Sequence, residues 1–457
     1  MNDDFSDSVT ATGLLVDRRR LIRAAGLIAA SAPLSAAVNA GAAKSPAPLS
    51  PARPGARVMP HSFLWGAATS GHQVEGNNIN SDAWLMENTK PSLFEERSGD
   101  ANDSYDRYKE DIDLVKSIGL NSYRFSLEWS RIEPTEGYFS NAALDHYKYM
   151  IDYCHKLGIR PAVTFNHYTV PVWFAVSGGF KRADGPDLFA RYCLHAAKHL
   201  ADGMHMGFTL NEPEAARIND MIFMEPVKPE ILAALKKSTG SNQFECWRTL
   251  ADEAGLQALV AAHKQGYAAI KSIRGDLPVG VCLALIDYRG VGPNNIAAKM
   301  REFIETPWLE AAKTGDFVAV QNYWPVYIDD KGVTSPPEGV LTNRWGLHID
   351  PSSLANVVYW AHQSTGKPIL ISEHGIDTDD DAQRIWHMTE SLKQLGAMVA
   401  KENIPLLGYI HWALLDNFEW GSYTPRFGLV AVDRVTFARS PKPSAYALGA
   451  LAKRNLL

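Results

Sequence analysis

Two short motifs in this chain place a carboxyl group where it could act on a covalent bond: Asn211-Glu212-Pro213 and Glu373-His374-Gly375. Each follows a short apolar run, Gly207–Leu210 and Ile369–Ser372, of the kind that forms a strand buried on both faces. Each glutamate therefore sits at the C-terminal end of a strand. A single strand-end glutamate could simply salt-bridge an arginine; a pair converging from facing strands points to chemistry. Cleavage of a glycosidic bond needs two carboxyl groups. One keeps its proton and gives it to the departing oxygen; the other is ionised and meets the positive charge that develops at the anomeric carbon. Burial together with the neighbour's charge raises one pKa and leaves the other low.

The elements that must position this pair recur along the chain as a strand followed by a helix, about eight times. Candidate strands are Phe63–Ala67, Ser122–Leu127, Pro161–Phe165, Gly207–Leu210, Val279–Leu283, Phe317–Gln321, Ile369–Ser372 and Leu407–His411. Between them run amphipathic stretches. One carries Tyr105, Tyr108, Ile112, Val115 and Ile118 on one face and stops at Gly119. The next carries Leu144, Tyr147, Ile151, Cys154 and Leu157 and stops at Gly158. Glycine just past the last apolar position is a helix-end signal, because it accepts left-handed backbone without penalty. The alternation predicts an α/β fold, a single (β/α)8 TIM barrel over residues 61–457, with catalytic groups at the C-terminal strand ends. Asp220–Arg248 is longer than an ordinary connection and reads as an elaboration beside the active face.

Composition excludes several classes. Hydrophobic residues make up 46% of the chain and charged residues 21%, as in ordinary globular proteins. The net charge is −6, with no basic stripe to hold nucleic acid. Four cysteines without paired spacing read as buried free thiols rather than a disulfide framework. His195 and His199 have the spacing of a zinc pair but lack the glutamate of the metalloprotease motif, and read as a helix surface. Asp379-Asp380-Asp381 precedes an apolar helical run and reads as a helix N-terminus.

Residues 1–40 read as an export signal. Arg18, Arg19, Leu21, Ile22 and Arg23 resemble a twin-arginine motif, and the small apolar run Ala24–Val38 is too short to span a bilayer. The expected location is the periplasm or outside the cell, with no membrane span in the mature chain. A Pro/Ala-rich tether follows over residues 41–60.

A larger set of motifs is spread from about residue 61 to residue 450. It opens with Phe63-Leu-Trp65-Gly-Ala-Ala-Thr-Ser-Gly-His-Gln73-Val-Glu75-Gly76 and Arg124-Phe-Ser-Leu-Glu128-Trp129-Ser-Arg131-Ile132. Thr164-Phe-Asn-His167-Tyr-Thr-Val-Pro171 and Asp316-Phe317 to Tyr323 follow. His411-Trp412-Ala-Leu-Leu-Asp416-Asn417-Phe418-Glu419-Trp420 and Arg426-Phe427-Gly428-Leu429 close it. With Asn211-Glu212-Pro213, these motifs resemble the family 1 glycoside hydrolases, the β-glucosidase and β-galactosidase family.

The resemblance implies that Glu212 is the general acid/base and Glu373 the nucleophile of a retaining, exo-acting β-glycosidase, most often a β-glucosidase, that needs no metal or cofactor. Gln73, His167, Asn211 and Glu419 would hydrogen-bond the sugar hydroxyls. Trp412 would lie beneath the ring, Trp420 would make a further hydroxyl contact, and Trp345 would wall the leaving-group site. Tyr323 and Arg124 would touch the nucleophile. The implied partner is a small β-glycoside, with no nucleic acid; oligomeric state is not encoded in these motifs. The chain departs from the family pattern at four places. His374 stands where Asn is usual, Gln321-Asn322-Tyr323 where Asn-Tyr-Tyr is usual, and Tyr168 and Phe208 where Trp is usual. These changes fall on the residues around the carboxylates, so the reaction is expected to be kept and the substrate preference altered. Hydrolysis, transfer of the sugar to an acceptor alcohol, and sugar binding without turnover all remain open at this level.

Overall fold

The computed structural model describes residues 57–457; the export signal and residues 41–56 of the tether lie outside the described residues. Eight parallel strands close a barrel: β1 (Leu64–Ala68), β2 (Ser122–Ser126), β3 (Arg160–Asn166), β4 (Met206–Asn211), β5 (Val279–Ala284), β6 (Phe317–Gln321), β7 (Ile369–Glu373) and β8 (Leu406–His411). They pair in sequence order, and β1 closes the ring onto β8, with Leu64 opposite Gly408 and Ala67 opposite His411. Helices follow every strand, and the outer ring includes α1 (Ser104–Ile118), α2 (Asn141–Lys156), α3 (Gly185–Leu200), α4 (Glu253–Ile273), α5 (Thr306–Ala312), α6 (Ser353–Thr365), α7 (Asp381–Glu402) and α8 (Pro443–Arg454). This is the (β/α)8 fold expected from the alternation.

Helix boundaries follow local chemistry. Ser140 accepts a hydrogen bond from the Ala143 amide at the start of α2, Asp252 from Gly255 at the start of α4, and Asp380 from Ala382 at the start of α7. The aspartate run at 379–381 thus caps a helix. At the end of α1, Gly119 adopts φ 96°, the left-handed conformation foreseen there.

Two hydrophobic layers hold the barrel. Outward side chains such as Trp65, Phe125, Val163, Val281, Val320 and Ile371 pack under the helices in one large core. Inward side chains Leu64, Met206, Phe208, Phe317, Leu370 and Ile410 fill the barrel interior below the site. Phe208, where the family pattern has Trp, lies in this plug with the Arg124 guanidinium 5.3 Å from its ring centroid.

The four cysteines are buried and free. His195 stacks on Phe139, whereas His199 lies 2.7 Å from Asp145, so the two histidines turn to different partners. Residues 57–59 run beside the chain end, Arg57 and Leu457 exchanging backbone hydrogen bonds of 3.0 and 3.1 Å. Among the described residues no helix is long and apolar enough to cross a membrane.

Candidate active site

Glu373 is the last residue of β7, and Glu212 follows directly on β4. These strands stand three steps apart on the ring, with β5 and β6 between them. Simple alternation would not aim the side chains correctly. On β4, Phe208 points inward, Thr209 reaches His263 on α4 at 2.7 Å, and Leu210 joins the outer core. A register shift against β5 between Phe208 and Asn211 turns Asn211 back into the mouth. A second shift, between Ile371 and Glu373 against β6, does the same for Glu373. Bulges of this kind re-aim side chains at barrel rims.

Arg124 organises the floor of the site. It is fully buried, and its guanidinium donates to Glu373 Oε1 at 2.5 Å and to Asn211 Oδ1 at 2.5 Å, while its Nε donates to Thr164 at 3.1 Å. Tyr323 donates to the other oxygen of Glu373 at 2.5 Å. Gln321 donates to Asn211 Oδ1 at 2.8 Å, and Asn211 Nδ2 lies 3.1 Å from His167 Nε2. One cation thereby ties the ends of β2, β3, β4 and β7 together. Glu212 meets a different neighbour: the Tyr168 phenol donates to its Oε2.

These surroundings separate the two carboxyl groups. Burial, and then the charge of Glu373, push Glu212 up to about 8, against the opposing pull of Tyr168 and Arg124. Burial raises Glu373 too, but Arg124 and Tyr323 draw it back. Glu373 is the member of the pair that ionises first, and Glu212 the one that keeps its proton. One half-buried acid poised near neutrality beside one ionised carboxylate can carry out acid-assisted displacement at an acetal carbon.

Gln73 Nε2 donates to the Phe418 carbonyl at 2.9 Å and to Glu419 Oε2 at 3.1 Å, and the Trp412 indole donates to Glu419 Oε1 at 3.1 Å. Burial pushes Glu419 up to about 8. Gln73 Oε1, His167 Nδ1 and Gln321 Oε1 are buried without a hydrogen-bond partner among the described residues. Unpaired buried polar atoms are costly unless another molecule meets them, and here three lie on residues of one polar cluster. His167 stacks with Trp412 at 5.8 Å between centroids and with Trp420 at 6.0 Å. Trp345 is 45% exposed and stacks on Phe427, which also meets the edge of Tyr323. Every site residue named from sequence thus belongs to one contiguous group at the C-terminal face.

Two features were not foreseen. Trp247, from the elaboration after β4, stacks on Tyr168 at 4.4 Å. Its only sequence signal is a tryptophan within a segment already placed near the site. Glu128 accepts from the His72 amide at 2.9 Å, Asn78 at 2.6 Å and Thr169 at 2.7 Å, and so locks the turn bearing Gln73 to the loop bearing His167.

The comparisons with known proteins decide the family. The model described as Glycosyl hydrolase family 1 matches residues 56–319 and 319–456. The chain belongs to glycosyl hydrolase family 1. It is therefore a glycoside hydrolase of the β-glycosidase kind. Beta-glucosidase A from Acetivibrio thermocellus is 30% identical over 450 residues, covering 87% of this chain and 99% of the relative. Among solved structures, the β-glycosidase BGL167 superposes with a TM-score of 0.84 at 41% identity, over 86% of this chain and 97% of that one. The family 1 β-glucosidase from Thermotoga maritima, in complex with isofagomine lactam, superposes with a TM-score of 0.78 at 25% identity, over 88% and 100% of the two chains.

Proposed function

We propose that this family 1 hydrolase is a retaining, exo-acting β-glycosidase that removes terminal β-linked sugars, with β-glucosides as its principal substrates. One observation carries the assignment of roles. Arg124 and Tyr323 both grip Glu373, whereas no cation among the described residues contacts Glu212. An ionised Glu373 attacks the anomeric carbon as Glu212 protonates the departing oxygen, leaving a covalent glycosyl-enzyme. Glu212, now ionised, takes a proton from water, which attacks the same carbon and frees Glu373 with net retention. The curated relative named a β-glucosidase supports glucose in the cleaved position.

Glu373→Gly should abolish release of the aryl group from an aryl β-glucoside, and added azide should restore it with formation of the α-glucosyl azide. Wild-type turnover in that variant would overturn the nucleophile assignment. Adding an alcohol to the wild-type reaction separates hydrolysis from transfer, because a transferring enzyme yields the alkyl glucoside.

We also infer that the enzyme is exported folded, from the paired Arg18 and Arg19 and the short apolar run behind them. Replacing both arginines with lysine in a bacterial host should retain the enzyme in the cytoplasm; continued export would sink the inference.

A further inference from the structure

Tyr168 stands where the family pattern has tryptophan, and unlike indole its side chain ends in a hydroxyl group. The residue adopts φ 68°, and Glu212 adopts φ 42°, left-handed conformations that a side chain rarely takes. The Tyr168 ring is clamped on three sides. Trp247 stacks on it at 4.4 Å and 18°, Trp420 meets it at 4.8 Å and 75°, and His167 meets it at 5.2 Å and 89°. A ring held this way has no free rotamer, and its hydroxyl is delivered to Glu212 Oε2.

We infer that Tyr168 is a positioning residue for Glu212: its phenol anchors one carboxyl oxygen so that the other faces the glycosidic oxygen, and it favours the ionised form that the second step needs. The inference rests on the assignment of Glu212 as acid/base. The charged and titratable groups facing Glu212 are Glu373 from β7, Arg124 from β2, Cys282 from β5, Tyr323 beyond β6, Tyr168 beyond β3 and Glu214 from its own segment. Arg248 lies behind Tyr168. Of these, Tyr168 alone hydrogen-bonds the Glu212 carboxyl among the described residues. Tyr168 is itself held neutral, since burial and the nearby carboxylates push its pKa well above the usual phenol value. It therefore donates in both steps, and most strongly when Glu212 is charged.

The test compares pH profiles of kcat/KM for an alkyl β-glucoside, which needs acid assistance, in wild type, Tyr168→Phe, Glu212→Ala and the double variant. Tyr168→Phe should move the basic limb up by about one pH unit, the size expected when a hydrogen bond to a charged group is lost. Glu212→Ala should remove that limb, and adding Tyr168→Phe to it should change nothing more. If Glu212→Ala removes the limb but Tyr168→Phe leaves it in place, the positioning role is wrong and the acid/base assignment stands. If the limb survives Glu212→Ala, the acid/base assignment itself fails. Should Tyr168→Phe not fold, Tyr168→Met removes the phenol without supplying another donor and must give the same upward shift.

Discussion

Arg124 is the residue on which the electrostatics of the site turn. A buried guanidinium is stable only when hydrogen-bond acceptors surround it, and the Glu373 carboxylate, the Asn211 amide oxygen and the Thr164 hydroxyl supply them. Replacing it with methionine removes the main opposition to burial at Glu373. The carboxyl pKa rises, less of it is ionised at a given pH, and the acidic limb of kcat/KM moves to higher pH. The folded state also loses about 3–5 kcal/mol near neutrality, because a buried charge is left unpaired. Chemical denaturation and a pH–rate profile measure the two effects separately. Glu212 sets the other limb. It must carry a proton in the first step, so activity should fall as pH rises through about 8 and recover when pH is lowered again.

The strands and loops explain why a period-2 reading of the sequence stops short of the site. The eight strands were legible as apolar runs, and their ends fall within a residue or two of the observed ones because burial on both faces leaves a contiguous signal. The bulges before Asn211 and Glu373 left no such signal. They arise where strands on a closed ring must shift register, and that depends on neighbours far away in sequence. Gly375 shows the same dependence. A Cβ added there would lie 2.1 Å from the Trp412 carbonyl oxygen, so the loops after β7 and β8 can approach only around a glycine. Gly375→Ala should push the Trp412 loop outward and lower kcat/KM by about 100-fold, as displacements near 1 Å can. Hydrolysis of an aryl β-glucoside measures this directly.

For the whole molecule, stability rests on the double core, and the thiols report on it. Burial raises Cys193 and pushes Cys154, Cys246 and Cys282 up to about 12. A soluble thiol reagent at pH 8 should find no reactive cysteine in the native enzyme and all four after denaturation, and reductant should leave the melting temperature unchanged. Rapid labelling of any one in the native state would mean that a core layer opens readily. Residues 59–65 are joined to the same unit: Asn455 accepts from the Trp65 indole at 2.9 Å and donates to the Met59 carbonyl.

By itself the sequence determined the barrel, the two strand-end glutamates and the family, because strand burial, helix caps and short motifs are local or are carried by residue identity. Only the tertiary structure decided that Arg124 spans four strand ends, that Trp247 reaches the site from the elaboration after β4, and that a tyrosine in a tryptophan's place hydrogen-bonds Glu212. Such contacts join positions far apart in the chain, and closing the ring is what brings them within hydrogen-bond and stacking range.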